Sequence, residues 1–410
     1  MLRSIATRLD LDLHLMRSVK KFLQSQLTYG QYHQYMRVFC LRRQCHFAKD
    51  VLGVSKSRQR YRDVRHVKDE ETAAKLVQAI LEHRKDPMAP VVHAEAGTGL
   101  VCQELLKKGV TSVIALYSTK KSMAEYERLE KEYGPDRFRS IQWSMLNLRL
   151  KLTNAGAGEG HGNNLYSRAE AFVAQLLHQK TRPGSCYALF NIGAKVKHEH
   201  YEFLFYILRN MPNDDPILSQ PGVEFFFLAH PRFKSKIEFL ANIEKATFST
   251  HYSALLAAAY LLYDISFIAE FGANSFDPPF KTTKAVQDPD WVNPNLRLLV
   301  KMMLKKDIES ILPLDHHVSF FMFLRQLYTK KTYRTIPTME MLVPGCGLRM
   351  LALDFTMMDI ILRTQPERLL LLYKHMVQWP EYQSSPLRNF ILQKTRGGID
   401  DWPESDIKEN

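Results

Sequence analysis

Between the apolar run Val91 to Ala94 and a helix-patterned stretch stands Glu95-Ala96-Gly97-Thr98-Gly99. Two glycines one residue apart at such a junction suit a particular chemistry. Glycine turns the chain without steric cost, and the N–H groups heading the next helix favour a nucleotide laid against the backbone. Further along, Arg325, Lys330, Lys331 and Arg334 interleave with Tyr328 and Tyr333. Cations among aromatic faces suit the phosphates and bases of a single-stranded nucleic acid; the same residues also read as a solvated helix end whose cations favour the dipole. Lys195 and Lys197, beyond the strand-like run Cys186 to Asn191, are either positive charge at a cleft mouth or an exposed face.

Other candidate chemistries find less support. Cys40, Cys45, Cys102, Cys186 and Cys346 are odd in number and scattered, with no C-x-x-C pair, which argues against a disulfide framework and a zinc site. His198-Glu199-His200 and His316-His317 lack the i, i+4 spacing that would put two imidazoles on one helical face, so they read as surface or core histidines. Asn154 to Asn164 is rich in glycine (Gly156, Gly158, Gly160, Gly162), but no Lys-Ser/Thr follows and no strand immediately precedes, so it reads as a loop.

The elements that must position these residues alternate. Strand-like runs fall at Val91 to Ala94, Ser112 to Tyr117, Phe138 to Trp143, Cys186 to Asn191 and Val223 to Ala229, separated by helical segments, and a helix is expected over Glu71 to Lys85. Such alternation predicts an α/β fold with a largely parallel sheet and helices on both faces. A long apolar helix, Tyr252 to Tyr263, leads into a strand, Asp264 to Phe271, and the prolines of Asn274 to Phe280 stop regular structure. Beyond about Asn293 the period reads as helical at Leu296 to Lys306, Val318 to Tyr328 and Pro366 to Gln378, predicting an all-helical C-terminal domain. The expected organisation is a leader over 1–47, an α/β domain over 60–292, a helical domain over 293–380 and a tail over 381–410.

Charge is concentrated at the front. The chain of 410 residues carries a net charge of +13, with 45% hydrophobic and 11% aromatic residues, a composition that supports folded cores. Residues 1 to 68 hold 15 Lys/Arg against 4 Asp. Leu2, Ile5, Leu9, Leu13 and Met16 recur at helical spacing among Arg3, Arg8, Arg17, Lys20 and Lys21, with no Glu before Phe47, the pattern of a mitochondrial transit peptide. Asp10 and Asp12 depart from that pattern, and a basic nucleic-acid arm or a disordered tail is the other reading. No run reaches the roughly 18 apolar residues of a membrane span. The end, from Gly397, is acidic through Asp400, Asp401, Glu404, Asp406 and Glu409, either a disordered tail or a docking segment for a basic partner.

Taken in order, several segments resemble the ribosomal-RNA adenine dimethyltransferases and their mitochondrial descendants, the transcription factor B proteins. Arg65-His66-Val67-Lys68-Asp69 is similar to the divergent form of the family's Q-N-F-L-x-D segment, and the glycine turn follows it. Asn191-Ile192-Gly193-Ala194 falls where methylating members carry N-L-P-F/Y. Ser275-Phe276-Asp277-Pro278-Pro279 is similar to A-F-x-P-P-P, Arg325 to Thr332 to the basic helix end, and Pro366-Glu367-Arg368-Leu369 to R-P-E-x-L. The resemblance implies a Rossmann-like S-adenosylmethionine-dependent methyltransferase sheet domain followed by a smaller all-helical domain. It places the cofactor at Val67, Gly97, Gly99, Tyr117 and Ser144, and the amine acceptor at Asn191.

Departures from the family pattern bear on activity. Family enzymes carry an acid after the second strand for the ribose hydroxyls; here Tyr117 and Ser118 stand there. Ser144 stands where an Asp holds the adenine amine, and Glu95 replaces the first glycine of the turn. A hydrogen bond to a charged group is worth about 1.5 to 3 kcal/mol, so losing two lowers cofactor affinity on the order of a hundredfold or more. Ala194 replaces the ring on which the flipped adenine stacks, a loss of roughly 1 to 3 kcal/mol. S-adenosylmethionine binding is therefore expected to be weak or absent, with Asn191 either a catalytic relic or a structural strand end.

The resemblance implies two functions. One is a monomeric mitochondrial transcription initiation factor of the matrix nucleoid that binds mitochondrial RNA polymerase and holds melted promoter DNA, with rRNA as a further possible ligand and no membrane partner. The other is a weakly active mitochondrial rRNA adenine dimethyltransferase. A purely structural mitoribosome or RNA-associated protein is a third reading.

Overall fold

The computed structural model describes residues 65–94, 96–117, 123–142, 188–191, 204, 207–208, 222–243, 254–279, 295–329 and 333–396, with only the backbone described at 189–191 and 394–396. The leader, the glycine-rich loop 154–164 and the tail from Gly397 lie outside these residues.

A two-residue strand β1 (His66–Val67) enters helix α1 (Glu70–His83). Asp69 caps that helix by accepting from the Thr72 amide at 2.8 Å, and Ala73, Leu76, Val77 and Ile80 form its buried stripe. There follow β2 (Val91–Ala94), α2 (Leu100–Lys107), β3 (Val113–Tyr117), α3 (Met123–Tyr133), β4 (Phe138–Gln142), β5 (Ala188–Asn191) and β6 (Glu224–Ala229). Then come α4 (Arg232–Ala241), α5 (Ala254–Leu262), β7 (Tyr263–Gly272), the two-residue β8 (Phe276–Asp277) and β9 (Leu296–Leu304). The helices α6 (His317–Tyr328), α7 (Thr335–Leu342), α8 (Gly347–Leu351), α9 (Pro366–Met376), α10 (Pro380–Gln383) and α11 (Pro386–Arg396) close the chain.

The main sheet has seven strands in the order β4-β3-β2-β5-β6-β9-β7. Strands β4 to β6 are parallel neighbours, while β9 pairs antiparallel with both β6 and β7. From β2 the order runs outward in both directions, which is the Rossmann-like, doubly wound arrangement, with its switch point between β2 and β5. Both β2 and β6 are buried along their whole length, which explains their continuous apolar runs.

Alternation along the strands divides the core. Val91, Val113, Ala115, Phe226, Leu228 and Leu299 face α1, α2 and α3. Val92, Ile114, Leu116, Phe225, Phe227 and Val300 face the other side, where they share one cluster with Phe233 of α4, Leu256 of α5, Phe320 of α6 and Leu369 of α9. The C-terminal helices thus pack into the core of the sheet rather than around a core of their own.

That arrangement corrects one expectation. Leu296 to Lys306 is not a helix: Leu296–Leu304 is β9, so the sheet runs past residue 293. The run LRLLVKMML satisfies a helical spacing and a strand equally well. Partners decide between them, and β6 and β7 offer it open hydrogen-bonding edges on both sides. The prolines of the Asn274 to Phe280 segment do not exclude a strand either; Phe276 and Asp277 pair with Val67 and His66 just before them.

Candidate functional site

In an open parallel sheet a ligand sits beyond the carboxyl ends of the strands, at the switch point. Register brings the pieces together there. Ala94 is level with Leu116 of β3 on one side and with Asn191 of β5 on the other, and the Ala96 amide donates to the Leu116 carbonyl at 3.0 Å. The turn that follows is left-handed at both glycines, with φ of 63° at Gly97 and 84° at Gly99, the N-cap of α2. Residues with a β-carbon rarely adopt these angles, which is why glycine stands at both positions.

Two side chains hold Gly97. From α3, the buried Tyr126 donates its hydroxyl to the Gly97 carbonyl at 2.6 Å, and its ring packs 5.0 Å from that of Tyr117 and 6.2 Å from Phe138. From β1, the imidazole of His66 lies on the Gly97 Cα: an added β-carbon would fall 2.7 Å from its Cγ. Pairing with β8 positions β1, reinforced by the Lys68 amide donating to Ser275 at 3.0 Å. Three segments far apart in sequence, 65–69, the glycine turn and 275–277, therefore meet at one place.

Val67 is corrected by this geometry. Adjacent residues of a strand face opposite sides, so with His66 on the turn the Val67 side chain is buried in the core, in the cluster that holds Phe276. His66 and Tyr126 are the residues that sequence reasoning missed. Tyr117 does stand at the end of β3, half-buried, where it offers a phenol and no carboxylate. Burial, with Glu130 and Glu127 nearby, raises its pKa, so it stays neutral.

Other candidate positions separate. Asn191 ends β5 beside the turn by backbone register, its side chain being outside the described residues. Glu95, Ser144, Lys195, Lys197, Lys330 and Lys331 also lie outside them. Tyr328 is buried in the core at 8% exposure, which corrects its reading as a stacking platform; its spacing on α6 points the ring inward. Tyr333 is the open aromatic, at 55%, beside the exposed Arg334, while Arg325 is half-buried on α6.

Beneath the turn, His93 of β2 and Cys102 of α2 approach at 3.3 Å between Nδ1 and Sγ, both buried. Desolvation, with His66 adding to it, pushes His93 down to about 3, and burial pushes the Cys102 thiol up. Both are neutral near pH 7, so the pair is neither a thiolate–imidazolium nucleophile nor a proton shuttle. Among the described residues no group of His, Cys, Asp and Glu could hold a metal ion, and no helix is long and apolar enough to cross a membrane.

Three solved structures to which this chain is similar carry methyltransferase or transferase names. One is the 23S rRNA methyltransferase ErmE, 12% identical, covering 75% of this chain and 98% of its own, with a TM-score of 0.43. Another is a dimethyladenosine transferase from Plasmodium falciparum, 12% identical, covering 81% and 98%, with a TM-score of 0.42. A third is an S-adenosylmethionine-dependent methyltransferase from Anabaena variabilis, 14% identical, covering 59% and 88%, with a TM-score of 0.31. No protein-family model matches the chain, and no curated protein matches it in sequence.

The described residues do not fit S-adenosylmethionine well. Gly97 and Gly99 hold the left-handed backbone, but the strand end beside them supplies a neutral phenol and no carboxylate, and an imidazole rests on the turn itself.

Proposed function

We propose that this chain is a mitochondrial transcription initiation factor on a degenerate rRNA adenine dimethyltransferase fold, which binds mitochondrial RNA polymerase and stabilises melted promoter DNA. One observation carries the reading: at the end of β3, beside the left-handed glycines of the turn, stands Tyr117, where the family it resembles carries an acid. Such a strand end keeps the glycine turn while lacking the anchor that would make it a methyl-transfer site. Aromatic and cationic groups then suffice for holding a strand without chemistry on it. The polymerase partnership and the matrix nucleoid location rest on the sequence resemblance and on the arginine-rich, acid-poor leader. The acidic tail is a candidate contact for a basic partner surface.

A reconstituted run-off assay with mitochondrial RNA polymerase tests this reading. The account expects promoter-dependent transcript to rise on adding the chain, and to rise less on a template already unpaired at the start site. RNA binding with no stimulation on either template would instead indicate a structural role.

The enzymatic reading keeps one supporting observation, the placement of Asn191 level with Ala94 at the cleft. Methyl transfer from radiolabelled S-adenosylmethionine to mitochondrial rRNA, abolished by Asn191→Ala, would favour it.

A further inference from the structure

Gly97 is bare for two reasons, and only one of them is its backbone angle. A glycine inside such a turn also lets a nucleotide lie against the main chain, in the space that a β-carbon would otherwise take. In this chain that space is filled. The ring of His66 stands there, its Cγ 2.7 Å from the point a β-carbon would reach and its own Cβ 3.1 Å from it. Handedness does not by itself bring a side chain so near. Gly109, Gly134 and Gly345 are left-handed too, and the same point at each finds its nearest packing neighbour at 3.4 Å or beyond.

The imidazole is fixed in that place from several directions. Val67 is anchored in the core beside Phe276, His66 is paired level with Asp277, and the Lys68 amide donates to the Ser275 carbonyl at 3.0 Å. Asp69 then caps α1, so the strap from 66 to 69 is tied at every residue. Contact through Cγ, the root of the ring, means that flipping the ring leaves the space filled. His66 is only half-buried, so it lies at the mouth of the turn and does not serve as core. Gly99 is covered as well: Glu125 Cγ, Leu129 Cδ1 and Tyr126 Cε1 of α3 lie 3.3, 3.4 and 3.5 Å from its corresponding point. Both bare positions of the turn face this chain's own side chains.

We infer that His66 is an internal plug: standing on the face of Gly97 against which an adenine nucleoside would lie, it closes the glycine turn to S-adenosylmethionine separately from the carboxylate missing at Tyr117. The two barriers differ in kind. Tyr117 withholds an attraction, whereas His66 imposes a collision that a restored carboxylate does not relieve, and a site rejects ligands by either route. The inference goes beyond the transcriptional reading, since it concerns which small ligands the turn refuses and not which strand or polymerase the chain meets.

Equilibrium dialysis of the full chain against radiolabelled S-adenosylmethionine tests the plug. Tyr117→Asp supplies a carboxylate at the end of β3, and it is measured alone and combined with His66→Ala, His66→Ser or His66→Phe. Alone, it is expected to stay empty. Combined with either small residue, it is expected to bind saturably, with affinity raised on the order of tenfold or more, and His66→Phe, which restores bulk, is expected to abolish the gain. Urea midpoints establish which variants are folded under the dialysis conditions, and the two small residues give two chances of a folded one. The plug is overturned if Tyr117→Asp alone binds as well as the double variants, if a folded double variant binds no better than Tyr117→Asp, or if His66→Phe binds as well as His66→Ala. Those outcomes leave the transcriptional reading standing. Tight binding by the unsubstituted chain overturns the plug and the loss of methyl-donor anchors together.

Discussion

The imidazole of His66 rests on the Cα of Gly97, so close that a β-carbon there would meet its Cγ at 2.7 Å and its Nδ1 closer still. Left-handed backbone at Gly97, φ 63°, adds a second obstacle to any side chain. Gly97→Ala is therefore expected to destabilise the chain by more than the roughly 1 to 2 kcal/mol of the conformational term alone. Adding His66→Ala removes the collision and leaves the conformational part. Urea midpoints of the single and double variants measure the difference.

On its other side the turn is held by the Tyr126 hydroxyl, 2.6 Å from the Gly97 carbonyl. Tyr126→Phe keeps the ring packing and deletes one buried hydrogen bond, a loss of about 0.5 to 1.5 kcal/mol. Hydrogen exchange should quicken at the amides of Gly97 to Gly99 while the middle of α3 keeps its protection.

At the amino end of β6, away from the cleft, the buried Glu224 carboxylate takes Lys301 Nζ at 2.7 Å, the Lys85 amide at 3.2 Å and Arg84 Nε at 3.9 Å. Removing one partner of a buried ionic group leaves the others uncompensated, at about 3 to 5 kcal/mol. Glu224→Ala should show that loss in chemical denaturation. Single-strand affinity of the fraction that remains folded should not change.

His93 is kept neutral by burial, its pKa moved from 6.5 to about 3. The unfolded chain takes up the proton that the folded chain refuses, so this group's contribution is complete above the unfolded value of 6.5 and is lost as pH falls toward 3. Each pH unit in that window costs roughly 1.4 kcal/mol. Urea midpoints should drop between pH 7 and pH 5, and His93→Gln should flatten that drop.

Much of the sheet was legible because its central strands β2, β3 and β6 are buried on both faces and punctuated by turns: Val91–Ala94 and the end of β3 at Tyr117 fall where the apolar runs place them. Leu296–Leu304 was not, since a dense apolar run fits either period and only its partners settle it. His66 was hidden for a related reason. A two-residue strand has no periodic signal, and its face is set by pairing with Phe276 and Asp277, far along the chain. Tyr126 carries no motif signal in the sequence; its hydroxyl contact to the turn depends on how α3 lies against Gly97.

Isothermal titration of the purified chain with S-adenosylmethionine tests the central claim most directly, that the nucleotide cleft has kept its turn and lost its methyl-donor anchors. No binding at micromolar concentrations is predicted. Micromolar binding that disappears in Gly97→Trp would contradict it.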